Sequence, residues 1–591
     1  MTNPKQLFDT VPVNPELRLP ALAVSRGIGA GRIVFLRGDK QEFLRLDLGP
    51  DEVEAELMRF ELAIQEAIGT LRELTLAENP SAGIFDVQIL IIETSLAEKI
   101  KKLISEERVN AEWAIRSVSD GFRERQERVA DTAFREKSLD IEDAAERLVA
   151  ALGGKDDVAR SFENRVLAAR EFSPSALHGM LSCRPAALIA EHGGWTSHSS
   201  ILAREFNIPM VSGVRGLEHT AVADDDVIVD GYTGEVIINP DPATREKYLS
   251  MTASVSQPIN GTSSNGPTTL DGTEIVLRAN VDVPEAYTIA MQAGANGIGL
   301  FRSESLIRRP GAIPNEDEQV AAYRRIAEVA GGAPVRIRTF DIGPDQMFDQ
   351  QNAAERNPSL GLRSIRLSLL DPTQFRIQIR ALLRASYETQ IAIILPMISG
   401  VGEIIRAKEI ALEERANLVS HGTEIGDPTF GVMIETPAAV LTAKQIATNV
   451  EFFCLGTNDL VQYLLAVDRD NDAVAESYQS LHPAVVRAMS EVFEAAKGAG
   501  IPVTVCGEMA GSPFYVPVLV GLGAREFSMN VNSIQPIKRL LAGITVPGTL
   551  ELVELLKNGS TADEIESFAR QYYQLNWSGL FPAGILAARH R

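Results

Sequence analysis

From Asp51 to about Ala150 apolar residues recur at steps of three and four, and Leu57, Phe60, Ile64, Ile68 and Leu71 fall on one face if that stretch is helical. The same period runs through "FDVQILIIETSLAEKIKKLI", "NAEWAIRSVSDGFRERQERVA" and "SLDIEDAAERLVAALGG". Together these segments predict a helical bundle of about 100 residues. On either side of it the texture changes to short β runs with glycine turns: "ALAVSRGIGAGRIVFLRGDK" before, then "RVLAAR", "PAALIAE", "IPMVSG" and "DDVIVDGYTGEVIINP" after. Strands on both flanks predict that residues 48–150 are inserted into one small α/β domain built from 20–47 and 151–240.

Residues 241–271 read as a helix followed by a Ser/Thr/Gly/Asn/Pro-rich linker. Beyond it, eight apolar runs alternate with helical segments: "EIVLRANV", "GIGLFRSE", "VRIRTFDIG", "IAIILPMIS", "FGVMIETPA", "FFCLGTNDL", "VTVCGEMAG" and "EFSMN". Eight β-then-α units over 272–560 predict a (β/α)8 barrel, with a C-terminal helix and tail at 561–591. A doubly wound open sheet is the structural rival, but it seldom carries a chemically loaded motif after so many strands.

Composition narrows the class. A hydrophobic content of 45% over 591 residues suits several globular domains. No apolar run is long enough to span a bilayer, and the start "MTNPKQLFDTVPVNPELRLP" lacks the basic-then-apolar pattern of a secretory signal, so a cytoplasmic location is expected. The formal charge of −22 disfavours nucleic acid and anionic membrane as partners. Three cysteines (Cys183, Cys454 and Cys506) stand far apart and make neither a disulfide framework nor a structural zinc site.

Candidate chemistry gathers after the strands. Arg302 follows the second run, Arg338 the third, Glu435 the fifth, Asn458 and Asp459 the sixth and Cys506 the seventh; Arg363 and Arg469 lie in nearby segments. Any one of the arginines read alone is a surface ion-pair partner, and Glu435, Thr436, Thr457 or Asp459 alone is a helix cap. Recurrence at the same end of successive strands is what that bland reading does not predict. Arginine forks suit phosphate or carboxylate, and two carboxylates suit a magnesium ion that also binds substrate phosphate. Glu304 and Asp341 belong to the same set as supporting groups. Cys506 reads either as a small buried hydrophobe, like Cys183 and Cys454, or as a protonated thiol able to protonate a carbanion or enolate.

His198 lies in "GGWTSHSSILAREFNIP", after a diglycine and before a helix-like run that Thr196 or Ser197 can cap. It is either a histidine satisfied by local hydrogen bonds or a nucleophile whose phosphorylated form is favoured by the helix N-terminus.

These stretches, with "RIRTFDIG", "NPSLGLRSIR", "LGTNDLVQYLLAVDRDN" and "HPAVV", resemble Enzyme I of the bacterial phosphotransferase system through nearly the whole chain. The resemblance implies a swivelling phosphohistidine α/β domain, an inserted bundle on which the carrier protein HPr docks, and a phosphoenolpyruvate-binding barrel that dimerises. It implies that His198 takes the phosphoryl group of phosphoenolpyruvate and hands it to HPr, releasing pyruvate. Arg302, Arg338 and Arg469 align with substrate-binding arginines, Asn458 with a further contact, and Arg363 with an arginine near the phosphate. Glu435 and Asp459 align with Mg2+ ligands, and Cys506 with the acid that protonates the enolate. Departures from the family pattern are Trp195 where a basic residue is usual, Pro344 and Gln346 in "DIGPDQ", and "RSES" in place of "RTEF". The tail "LNWSGLFPAGILAARHR" matches no motif. A pyruvate phosphate dikinase-like enzyme needs an ATP-binding domain for which no residues remain, and a non-catalytic phosphoenolpyruvate sensor would not need the full set of His198, Cys506, Glu435 and Asp459.

Overall fold

The computed structural model describes residues 16–581 apart from 37–44, 50–51, 77–87, 127–140, 153–161, 173–184, 193–198, 201–202, 204–207, 249–266, 308–310, 349–356 and isolated single positions, and also residue 586. The chain divides into two compact units, Met1–Ser256 and Gln257–Arg591.

In the first unit eight strands form one sheet: β1 (Leu17–Pro20), β2 (Leu22–Ser25), β3 (Ile28–Phe35), β4 (Val166–Ala169), β5 (Ala187–Ala190), β6 (Met210–Ser212), β7 (Asp226–Asp230) and β8 (Glu235–Ile238). Their order is β1-β8-β7-β3-β4-β5-β6-β2, with β3, β4, β5 and β6 mutually parallel. β4 (VLAA) and β5 (ALIA) are apolar at every position because both faces are covered. Val166, Ala168, Ala187 and Ile189 enter one core, while Leu167, Leu188 and Ala190 enter another. Between β3 and β4 in sequence lies the helical insert. Its helix Val53–Leu76 presents Phe60, Ile64, Ile68 and Leu71 to Ile92, Leu96, Ile100, Ile104, Ile115 and Leu148.

The second unit is a closed, all-parallel barrel of eight strands in sequence order: β9 (Val276–Val281), β10 (Ile298–Arg302), β11 (Val335–Arg338), β12 (Ile391–Leu395), β13 (Thr429–Ile434), β14 (Phe452–Leu455), β15 (Val503–Val505) and β16 (Glu526–Met529), with β16 pairing back to β9. Each coincides with one of the eight apolar runs. Low in the barrel a polar layer joins four strands: Glu526 Oε2 accepts from Thr504 Oγ1 at 2.7 Å and lies 3.1 Å from Arg336 Nη2 and 3.4 Å from Arg278 Nε. The Arg336 guanidinium also stacks on Phe452, 4.3 Å from the ring centroid. Above this layer Leu300, Ile394, Met433, Phe452, Cys454 and Cys506 form an apolar core, so the barrel is filled and any ligand must sit at its mouth. Among the described residues no helix is long and apolar enough to cross a membrane.

Candidate active site

Arg302 and Arg338 are the last residues of β10 and β11 and face each other in register. Arg338 is nearly buried, with Nε 3.2 Å from Glu304 Oε1 and Nη1 3.2 Å from Asp341 Oδ2. Glu304, in the turn after β10, also accepts the Asp341 backbone N–H at 2.6 Å. Arg363 reaches the same carboxylate, Nη2 to Asp341 Oδ1 at 2.9 Å. Burial alone would raise the Asp341 value, but the Arg338 and Arg363 charges outweigh it and hold the carboxyl below the ordinary range. Arg338 remains charged despite burial because Glu304 and Asp341 flank it. Glu304 and Asp341 thus serve as the supports that orient two arginines. Arg302 is more open and pairs with both oxygens of Asp282 at 3.2 Å.

Glu435 directly follows β13 and is fully buried. Its Oε1 accepts the Met397 N–H at 2.6 Å, and Met397 holds a left-handed φ of 54° to deliver it. Its Oε2 has no hydrogen-bond partner. Gly456 leaves the room for that oxygen, since a Cβ there would lie 2.9 Å from it. Burial, then the charges of Asp459 and Asp341, push the Glu435 carboxyl well above its ordinary value. A buried carboxylate oxygen without a partner beside two more acids is a poor arrangement unless a cation joins it.

Asp459 lies in the first turn of the helix Thr457–Leu465, with Oδ1 3.8 Å from Arg469 Nη1. Asn458 accepts the Glu508 N–H on its Oδ1 at 3.0 Å, which ties the β14 loop to the β15 loop. Among the described residues no three His, Cys, Asp or Glu side chains gather as a metal cluster. Two carboxylates fit a Mg2+ ion that completes its shell with water and substrate oxygens, and they fit a dedicated protein cage badly.

Cys506 follows β15, is buried, and donates its thiol to the Leu455 carbonyl at 3.5 Å. Its backbone N–H bonds the same carbonyl at 3.1 Å. The hydrogen bond it shares with Cys454, together with burial, pushes its thiol up, so the protonated form is held at neutral pH. Cys454 is a fully buried member of the same apolar core.

Arg302, Arg338, Glu435, Asn458, Asp459 and Cys506 belong to the barrel unit and stand at or just beyond strand ends, while Arg363 and Arg469, in the same unit, lie farther along the segments that follow β11 and β14. His198, Trp195 and Cys183 lie outside the described residues. Pro344 opens a short helix, Pro344–Phe348, after the β11 loop, and Gln346 is exposed. Three contributors were missed in the sequence. Asn280 donates from Nδ2 to the Cys506 carbonyl at 3.1 Å and accepts from Ser528 Oγ at 2.6 Å; Asp282 holds Arg302; Met397 holds Glu435. The strand-end rule applied to "RANVDV" and "LPMIS" would have found the first two and pointed at the third.

Sequence profiles described as PEP-utilising enzyme, N-terminal, mobile domain and PEP-binding domain match residues 20–137, 162–234 and 260–546. Phosphoenolpyruvate-protein phosphotransferase of Bacillus sp. (strain S) is 37% identical over 541 residues, covering 89% of this chain and 93% of that protein. The Bacillus subtilis (strain 168) protein of the same name is 36% identical, covering 88% and 94%, and the one from Cupriavidus necator 35%, covering 88% and 93%. A solved solution structure of Enzyme I (nEIt) is 28% identical, covering 40% of this chain and 100% of that one, at a TM-score of 0.33 that adds nothing to the sequence match. Similarity of this extent, with an eight-stranded barrel and its strand-end site in place, makes the chain a member of the phosphoenolpyruvate-protein phosphotransferase family.

Proposed function

We propose that this phosphoenolpyruvate-protein phosphotransferase moves the phosphoryl group of phosphoenolpyruvate to its own His198 and then to the histidine of HPr, releasing pyruvate as the first step of sugar uptake. The observation that carries the barrel half of this reading is the convergence at one mouth of Arg302, Arg338, Glu435, Asp459 and Cys506 from five strands. In the reaction the substrate's phosphorus–oxygen bond breaks as a bond to the His198 imidazole forms, and the electron pair stays on the departing oxygen as the enolate of pyruvate. Arg302, Arg338 and Arg469 hold the substrate's phosphate and carboxylate, Asn458 adds a polar contact, and Arg363 keeps positive charge near the phosphate. The Cys506 thiol gives its proton to the enolate carbon and is reprotonated from water.

Charge balance supports a magnesium ion at Glu435 and Asp459. Four arginines (Arg302, Arg338, Arg363 and Arg469) meet the carboxylates of Asp282, Glu304, Asp341 and Asp459, while burial favours the neutral form of Glu435, an inventory that does not by itself favour a trianionic substrate. Glu435 and Asp459 would hold a divalent ion, which would supply the further positive charge that a phosphate ester needs. In this reading the first unit carries His198 on a swivelling α/β domain, HPr docks on the inserted bundle, and the protein works in the cytoplasm as a homodimer joined through the barrel.

The test is incubation with Mg2+ and phosphoenolpyruvate labelled in its phosphate, for the wild type and His198→Ala. The wild type takes up acid-labile, base-stable label with equimolar pyruvate, and the variant takes up none. A wild type that binds the substrate yet acquires no label fits the sensor reading and sinks this one.

A further inference from the structure

The tail that matches no motif begins beside the segment that bears Cys506. Cys506 opens an irregular stretch that runs through the turn Glu508–Gly511 to Phe514 and then enters the helix Val516–Leu522. The near end of this stretch is tied to the barrel by Leu455, Asn280 and Asn458. Its far end is tied to the C-terminal helix Ala562–Asn576. Tyr573, fully buried, donates its hydroxyl to the Phe514 carbonyl at 2.8 Å, and its ring meets the Phe514 ring edge-on at 5.5 Å. Two tail aromatics stack on Tyr573: Phe581 at 4.5 Å between centroids and 16° between planes, and Trp577 at 5.7 Å and 26°. Arg570, one turn earlier on the helix, covers the Phe514 ring at 5.8 Å.

We propose that Tyr573, clamped by Trp577 and Phe581, is a positioning residue that holds the far end of the Cys506 loop and thereby aims the thiol at the enolate. The idea rests on the reading of Cys506 as the proton donor. Within the stretch Ala510 bonds to Gly507 at 3.0 Å, Ser512 to Met509 at 3.2 Å and Tyr515 to Ser512 at 3.1 Å, and Met509, Ala510, Gly511, Ser512 and Phe514 are buried. Proton transfer falls steeply when the donor is misplaced by a fraction of an ångström, so a shift at the Phe514 end that passes back along the stretch is felt at the thiol. The Tyr573 hydroxyl bonds the Phe514 carbonyl directly, so Tyr573→Phe removes that link while keeping the aromatic stack.

In the full-length protein Tyr573→Phe should lower kcat for pyruvate formation about tenfold, with KM for phosphoenolpyruvate within about twofold of wild type. Alkylation of Cys506 by iodoacetamide, followed by peptide mass spectrometry, should accelerate several-fold, while Cys454, equally buried in the strand before, keeps its wild-type rate. Phe581→Leu, which removes one stacking face and keeps the hydroxyl, should act in the same direction and serves if Tyr573→Phe folds poorly. Unchanged kcat and unchanged Cys506 alkylation in both variants overturn the proposal. So does equal acceleration at Cys454 and Cys506, because that reports loosening of the whole barrel. Cys506→Ala separates this idea from the reading beneath it: full pyruvate formation in that variant sinks the proton-donor role, whatever Tyr573→Phe does.

Discussion

Glu435 carries one carboxylate oxygen that nothing in the protein satisfies, and the neighbouring charges of Asp459 and Asp341 repel it. Groups kept in so unfavourable a state point to a ligand absent from the resting protein. Glu435→Gln retains the acceptor for the Met397 amide but removes the buried charge. On the reading of Glu435 as a Mg2+ ligand, the variant should lose phosphorylation from phosphoenolpyruvate by about a hundredfold. The same change should leave the stability of the metal-free protein within about 1 kcal/mol of wild type, because burial already favours the neutral carboxyl that the amide replaces. Label uptake and a thermal unfolding curve without Mg2+ measure the two effects. A lower unfolding midpoint would mean that Glu435 has a protein partner after all and is no vacant ligand.

The strands that hold these residues were legible because each apolar run ends abruptly in polar chemistry, and because eight such units close a barrel. What surrounds the runs was not legible. Nothing local says that Arg338 lies between Glu304 and Asp341, that Met397 adopts a left-handed backbone to reach Glu435, or that Tyr573 bonds to Phe514 from 59 residues away. In the first unit β2 to β8 fall within the apolar runs read from the sequence, but β1 (Leu17–Pro20) precedes them and was missed, and the strand order was not visible. β1 and β2 lie close in sequence yet occupy opposite edges of the sheet, a result of long-range pairing that no period encodes. Gly431 illustrates the same limit inside the barrel. It reads as an ordinary break in a strand, yet a Cβ there would run into the Phe452 ring on which Arg336 stacks. Gly431→Ala should therefore displace that ring, disturb the Arg336–Glu526 layer and destabilise the barrel by about 1–3 kcal/mol. The midpoint of denaturant unfolding measures this, and an unchanged midpoint would show that Phe452 has space to move.

Across the whole molecule the chemistry is divided between two units. His198 belongs to Met1–Ser256, while Arg302, Arg338, Glu435, Asp459 and Cys506 belong to Gln257–Arg591. On the proposed reading a phosphoryl group does not travel through solvent as a free species, so the His198 imidazole would have to come within bonding distance of the substrate phosphorus and then leave it to meet HPr. One fixed arrangement cannot serve both encounters if HPr docks on the insert of the first unit. Each unit has its own core, so the proposed swivelling would be a movement of one unit relative to the other. A rigid covalent cross-link that keeps the units apart should abolish labelling of His198 from phosphoenolpyruvate. Exchange of label between HPr and His198 should continue near the uncross-linked rate, because that step uses the first unit alone. Loss of both activities would trace to damage in the first unit, and reduction of the cross-link should then fail to restore either. Retention of both at normal rates would mean that His198 reaches the barrel mouth without relative movement of the units, and the swivelling reading would fall.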